Sequence, residues 1–336
     1  DTTQTLLNFG RCLVHMAVDT DEVYMTTKLA GKSTFFLPFN KGHNFGQGNP
    51  PNPHGHKTAY LWEEVFSRKS LANILQHFMR FDGKPKDALS KRTLFFPRYH
   101  QMDVVRKILK DTATKGLGET YLVQHSAGSG KSNSITWLAY QLIETYPSNA
   151  DVKGARGLQH PLFDSVIVVT DRRLLDKQLR DNIKEFSQVK NIVAPAFSSK
   201  ELRKNLEQGK KIIITTIQKF PFIIDGIADL SHKRFAVIID EAHSSQGGST
   251  AGKMNQAMGM AADDGADGQD KILKAMKARK MKGNASYMAF TATPKNATLE
   301  KFGTKQTDGS FEPFHLYSMK QAIEEGFILD VLANYT

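Results

Sequence analysis

The chain has 336 residues, 40% hydrophobic and 24% charged, an ordinary balance for a globular protein of about two domains. No apolar run approaches membrane length, and a single cysteine, Cys12, excludes an internal disulfide framework and fits a reducing compartment, taken here as the cytoplasm. Forty-five basic against thirty-four acidic residues give a formal +11, which suits a polyanionic partner such as nucleic acid.

The chain opens at Asp1 with no charged-then-apolar secretory pattern behind it, so it reads as an interior piece of a larger protein. Arg11 to Val18, a turn at Asp19-Thr20-Asp21-Glu22, and Val23 to Leu29 predict a β-hairpin. Lys41 to His56 is rich in Gly, Asn, Pro and His and predicts an irregular loop. His43, His54 and His56 lie there without cysteine or acidic companions, which favours a solvent-facing or docking loop over a metal site. Ser70 is the expected cap of a helix whose inner face carries Leu71, Ile74, Leu75 and Phe78.

Residues 81–92 are polar and broken by Gly83 and Pro85, and they form the expected linker between a first domain, residues 1–80, and a second. Beyond it Arg98-Tyr99-His100-Gln101 leads into a helix with Val104, Val105, Ile108 and Leu109 apolar. Gln101 lies 30 residues before Lys131. Its amide can donate to and accept from the edge of adenine together; a packing glutamine is the other reading.

Gln124 to Ser132 then reads Gln-His-Ser-Ala-Gly-Ser-Gly-Lys-Ser between a short apolar strand and a helix patterned on Ile135, Leu138, Ala139, Leu142 and Tyr146. Gly128 and Gly130 let the backbone turn its N–H groups inward, Lys131 supplies positive charge to terminal phosphates, and Ser132 offers a hydroxyl to Mg²⁺. His125 stands where the usual pattern has its first glycine. A second element lies 109 residues on, where Ala236 to Ile239 run into Asp240-Glu241-Ala242-His243. Asp240 is placed to hold Mg²⁺ and Glu241 to orient and deprotonate an attacking water, the division of labour that ATP hydrolysis needs.

Apolar runs recur at Tyr121 to Val123, Val166 to Val169, Lys211 to Ile214, Ala236 to Ile239 and Tyr287 to Phe290, separated by helical stretches. This alternation predicts an α/β fold with a parallel sheet covered on both faces and polar residues gathered at the carboxyl ends of its strands. Gly247 to Asp270, rich in Gly, Ala and Asp, is expected to carry no regular structure. A helix from Lys271 to Lys282 follows, with Ile272, Leu273 and Met276 as its buried stripe.

Together Arg98-Tyr99-His100-Gln101, the Gly-Ser-Gly-Lys-Ser loop, Thr170-Asp171-Arg172, Thr215-Thr216-Ile217-Gln218, Asp240-Glu241-Ala242-His243 and Thr291-Ala292-Thr293-Pro294 resemble the successive motifs of a superfamily 2 DNA helicase or translocase. More narrowly, Gln124 to Ser132, Val169 to Gln178 and Asp240 to Gln246 resemble the R, or restriction and motor, subunit of a type I restriction-modification enzyme, whose own loop carries the histidine. Phe36 to Gly42 and Tyr60 to Val65 are similar to that family's join between nuclease and motor.

The resemblance implies a RecA-like P-loop lobe over 93–315, preceded by the tail of a restriction-endonuclease-like domain and followed at 316–336 by the lead into a second lobe. The parent would pull double-stranded DNA with ATP and Mg²⁺ while docked on methyltransferase and specificity subunits, and cleave it at a distance. By position, Arg98, Gln101, Ser126, Gly128, Ser129, Gly130, Lys131 and Ser132 would hold the nucleotide. Ser132 and Asp240 would hold the metal, and Lys131, Asp240 and Glu241 would carry catalysis. His243, Thr291 and Thr293 would couple hydrolysis to movement, while Arg172 and Thr216 would face the DNA. The nuclease acids and the second lobe's arginines are expected outside this stretch. A strand-separating superfamily 2 helicase, a nucleotide-gated DNA-binding module without useful turnover, and a small-molecule kinase are the alternatives; the kinase calls for neither the Asp-Glu-Ala-His nor the Thr-Ala-Thr element.

Overall fold

The computed structural model describes residues 4–82, 86–170, 192–196, 198–240, 268–278 and 283–329. Two compact units emerge, one from residues 1–105, 127–130 and 317–336, the other from 106–126 and 131–316.

In the first unit β1 (His15–Val18) and β2 (Val23–Thr26) pair antiparallel, and β3 (Leu37–Pro38) joins β2. The predicted turn is closed by Asp19, whose Oδ1 accepts the Asp21 and Glu22 N–H groups at 2.7 and 2.8 Å. The expected cap at Ser70 is displaced. Helix α1 (Arg68–Asn73) starts after Ser67, and Ser70 lies inside it, its hydroxyl donating to the Val65 carbonyl at 2.6 Å. From Ile74 to Phe78 the winding loosens into a π-type turn. The wider turn keeps Ile74 and Phe78 buried but leaves Leu71 and Leu75, expected inside, 37% and 48% exposed.

β4 (Arg80–Asp82) and β5 (Thr93–Phe95) then form an antiparallel ribbon. Around it Phe39 and Tyr60 pack on Tyr99 with ring centroids 5.8 and 5.3 Å apart, and Phe39 also meets Phe96 at 5.9 Å. Each such pair contributes about 0.5–1.5 kcal/mol beyond its area. The cluster fixes where α2 (Tyr99–Lys115) begins, and so the placement of the residues flanking Tyr99.

The second unit is built on a sheet of β6 (Thr120–His125), β7 (Ser165–Thr170), β8 (Val193–Pro195), β9 (Ile212–Thr216), β10 (Phe235–Asp240), β11 (Ala285–Thr291) and β14 (His315–Tyr317), ordered β14-β6-β11-β10-β7-β9-β8. From β6 across to β8 every pairing is parallel. Strands β7, β9, β10 and β11 are buried along their whole length, which is why they read as unbroken apolar runs. Five of the seven were predicted; β8 and β14 are three residues each, too short to show a pattern. β12 (Thr304–Lys305) and β13 (Phe311–Glu312) make a separate ribbon.

Side chains alternate between the faces of the sheet. One face, carrying Leu122, Ile167, Val169, Ile213, Ile239 and Ala289, is covered by α4 (Ser199–Glu207), α5 (Phe220–Asp229), α6 (Gly268–Ala278) and α7 (Asn296–Phe302). Helix α3 (Lys131–Leu142) packs against β10 and β7 on the other. Two expectations are corrected. Helix α3 stops at Leu142, so Tyr146 lies past its end and is 48% exposed. Gly268 to Asp270, expected without structure, form the first turn of α6, whose Ile272, Leu273 and Met276 are buried as predicted; residues 247–267 lie outside the described residues.

Candidate functional site

Between β6 and α3 the chain turns through Ser126 to Gly130. Gly128 and Gly130 take φ of +71° and +74°, the left-handed region that costs a residue with a Cβ about 1–2 kcal/mol. Ser126 and Ser129 are buried, and their hydroxyls have no hydrogen-bond partner among the described residues. Lys131 opens α3, its Nζ donating to the His125 and Ser126 carbonyls at 3.0 and 3.2 Å. Burial lowers the Lys131 pKa from its ordinary value, and the charge of Asp240 opposes that shift. His125, the residue that departs from the usual loop, has a structural occupation. Its Nε2 lies 2.8 Å from His315 Nδ1, tying the end of β6 to β14, and its ring stands edge-on to Phe290 at 6.5 Å.

Strand register then determines which polar residues share a face. Asp240 is paired with Thr170, and Thr170 with Thr216, so all three project to the α3 side at the carboxyl ends of β10, β7 and β9. The Thr170 hydroxyl is buried without a hydrogen-bond partner among the described residues. Thr216 is 7% exposed, with its Oγ1 3.4 Å from Lys219 Nζ. Thr291, one residue past the partner of Asp240, faces the opposite side. There the Gln269 amide donates to Thr291 Oγ1 and to the Thr293 carbonyl. Arg172, Glu241 and His243 lie outside the described residues.

In the first unit, three side chains hold the loop from its carbonyl side. Arg98 Nη2 donates to the Gly128 carbonyl at 2.8 Å, His100 Nε2 lies 2.9 Å from the Ser129 carbonyl, and Gln101 Nε2 donates to the Ser129 and Gly130 carbonyls at 3.0 and 3.2 Å. Gln101 Oε1 accepts the Arg98 N–H at 3.0 Å, so both ends of the amide expected to meet adenine are engaged with the chain itself. Behind them His100 stacks on Tyr317 with centroids 3.8 Å apart, and the Arg98 guanidinium lies 3.9 Å from the Phe327 ring. Burial lowers the Arg98 pKa and raises that of Glu325, whose carboxylate accepts the Tyr317 hydroxyl at 2.6 Å and the Gln321 amide at 2.8 Å.

A nucleotide with Mg²⁺ fits these residues. In the second unit, the buried Ser126 hydroxyl, without a hydrogen-bond partner among the described residues, and a buried lysine that Asp240 helps keep charged suit a polyphosphate; in the first, so do the Ser129 hydroxyl and the two left-handed glycines. Sequence reasoning named the loop, Asp240 and the threonines but missed His100 and Gln269. His100 stood within a quoted motif with no chemical signal of its own, and Gln269 lay in a run that gave no periodicity.

No described helix is long and apolar enough to cross a membrane. The type I restriction enzyme HindI endonuclease subunit of Haemophilus influenzae is 27% identical over 285 residues, 81% of this chain and 24% of that protein. The chain thus spans about a quarter of that relative's length. Among solved structures, the UvsW helicase of bacteriophage T4 is 13% identical with a TM-score of 0.39, over 73% of this chain and 66% of that one. The Sulfolobus solfataricus SWI2/SNF2 ATPase core, solved in complex with dsDNA, is 17% identical with a TM-score of 0.34, over 59% of this chain and 33% of that one. Residues 100–336 match the SWI2/SNF2 ATPase family, and since that stretch takes in the loop, the acidic strand and the Thr-Ala-Thr turn, this protein belongs to that family.

Proposed function

We propose that residues 93–315 are the first motor lobe of an ATP-dependent double-stranded DNA translocase, the endonuclease subunit of a type I restriction enzyme. Residues 1–80 are then the last part of its nuclease domain, 81–92 the linker, and 316–336 the start of the connection to a second lobe. The observation that carries this is Lys131 at the head of α3, buried and within the field of Asp240 at the carboxyl end of β10. The relationship to the HindI endonuclease subunit narrows the class, and the +11 charge suits DNA.

In this reading Lys131 and the N–H groups of Gly128 to Ser132 bind the terminal phosphates, helped by Ser126 and Ser129. Arg98 and Gln101 hold the loop on which the nucleotide sits. Ser132 and Asp240 hold Mg²⁺, which when bound neutralises charge on the phosphate oxygens. Glu241 orients the attacking water and takes its proton. Thr291, Thr293 and His243 couple hydrolysis to movement, Arg172 and Thr216 contact the DNA backbone without reading bases, and, within a complex with methyltransferase and specificity subunits, another subunit chooses the sequence.

The test is ATP hydrolysis by the full-length protein with its partner subunits, with and without circular duplex carrying the recognition site. Strong stimulation by that duplex, abolished by Lys131→Ala, is the expected result. Glu241→Gln should keep ATP binding and lose turnover. Bound ATP with no stimulation would identify a nucleotide-gated DNA-binding module instead.

A further inference from the structure

Gln269 does more than fill space. It lies in the first turn of α6 and is 9% exposed. Its Nε2 donates to Thr291 Oγ1 at 3.4 Å and to the Thr293 carbonyl at 3.1 Å, while its Oε1 accepts the Lys295 N–H at 3.0 Å and the Thr298 hydroxyl at 2.6 Å. Both halves of one carboxamide are thus spent on a single connection, the turn from β11 into α7. A carboxylate of the same length has the acceptors without the donors, and an aliphatic chain has neither.

The two sides of this junction are anchored separately. Helix α6 is seated by Ile272, Leu273, Ala275 and Met276 in the core, and on the outside Asp270 pairs with Lys295 at 2.8 Å. The turn hangs from β11, whose Thr291 Oγ1 also accepts the Thr293 N–H at 3.3 Å. Through Gln269 the position of the turn follows α6 as well as β11. A buried amide with four partners has one orientation that satisfies them, so a shift of α6 moves Thr291 and Thr293 with it.

We propose that Gln269 is a positioning residue of the coupling element, tying Thr291 and Thr293 to α6 so that turn and helix move together when ATP turnover is converted into DNA movement. This rests on reading the Thr-Ala-Thr turn as that element. The full-length protein, assembled with its partner subunits, is compared as wild type, Q269M and Q269E, with ATP turnover and displacement of a strand bound to the duplex measured side by side. Expected is a fall of about tenfold in displacement per ATP for Q269M, with the KM for ATP moving less than about twofold, and an intermediate loss for Q269E, which keeps the two acceptor bonds. Turnover and displacement falling together, at an unchanged ratio, would overturn the inference and leave Gln269 a stability residue. Should Q269M fail to fold, the isosteric Q269E is read against the same two outcomes. A wild-type protein whose ATP turnover ignores duplex DNA would defeat the motor reading itself, and this inference with it.

Discussion

Gly130→Ala should cost nucleotide affinity through two separable effects. At φ +74° an alanine loses about 1–2 kcal/mol to backbone strain. Its Cβ would also run into Gln101 Nε2 and come within 3.4 Å of Arg98 Nη2. A free amide would swing away, but this one donates to the Ser129 and Gly130 carbonyls, and each bond lost costs about 0.5–1.5 kcal/mol. The combined cost of about 2–5 kcal/mol corresponds to at least roughly thirtyfold weaker binding, measured by equilibrium titration of a fluorescent ATP analogue. In a Gln101→Ala background the collision is gone and the strain remains, so adding Gly130→Ala should cost only about 1–2 kcal/mol more. Binding within about threefold of the parent protein would show that the loop does not need its left-handed residue. An identical factor in both backgrounds would show that Gln101 does not brace the loop.

Two further outcomes concern stability. Burial raises the Glu325 pKa against the opposing hydrogen bonds of Tyr317 and Gln321, so the folded state prefers the protonated acid and this group's contribution declines as pH rises through its titration. Tyr317→Phe removes a donor to the carboxylate; its deficit in urea unfolding should be about 1.5–3 kcal/mol on the alkaline side of that titration and shrink on the acid side. At Asp164 burial pushes the carboxyl up, but the Arg234 hydrogen bonds and charge outweigh it and hold the group below the usual carboxylate range. Stability from that group is therefore present at neutral pH and lost on acidification. Asp164→Asn, which leaves the 7%-exposed Arg234 side chain without its carboxylate, should cost about 1.5–3 kcal/mol at neutral pH, with the gap to wild type closing below about pH 4.

The sequence is most legible where one residue's role is set by its neighbours in the chain. Val166 to Val169 and Ala236 to Ile239 announce strands buried on both faces because nothing in them could meet water. Gly128 and Gly130 announce a loop because their spacing serves the backbone. Legibility fails where the partner is remote. The purpose of His125 depends on His315, 190 residues away. Gln101 offers an amide suited to a base edge, yet the fold spends that amide on carbonyls 28 and 29 residues on. Ser70 has the chemistry of a cap, but the start of α1 is decided three residues earlier, where the chain leaves the turn after Val65.

The two-sided sheet also bears on how hydrolysis could be felt at a distance. Asp240 and its neighbours Thr170 and Phe290 lie on the α3 side, with Lys131 at the head of that helix. Thr291 follows Phe290 directly and, by strand alternation, projects to the side held by α6 and α7. The peptide joining Phe290 to Thr291 links the two faces of the sheet at the carboxyl end of β11, and Gln269 holds the Thr291 hydroxyl on the far side. Strand β11 is fully buried and paired on both edges, to β10 and to β6. In the reading proposed above, the end of β11 at which a displacement would emerge among the described residues is the turn Thr291-Ala292-Thr293-Pro294.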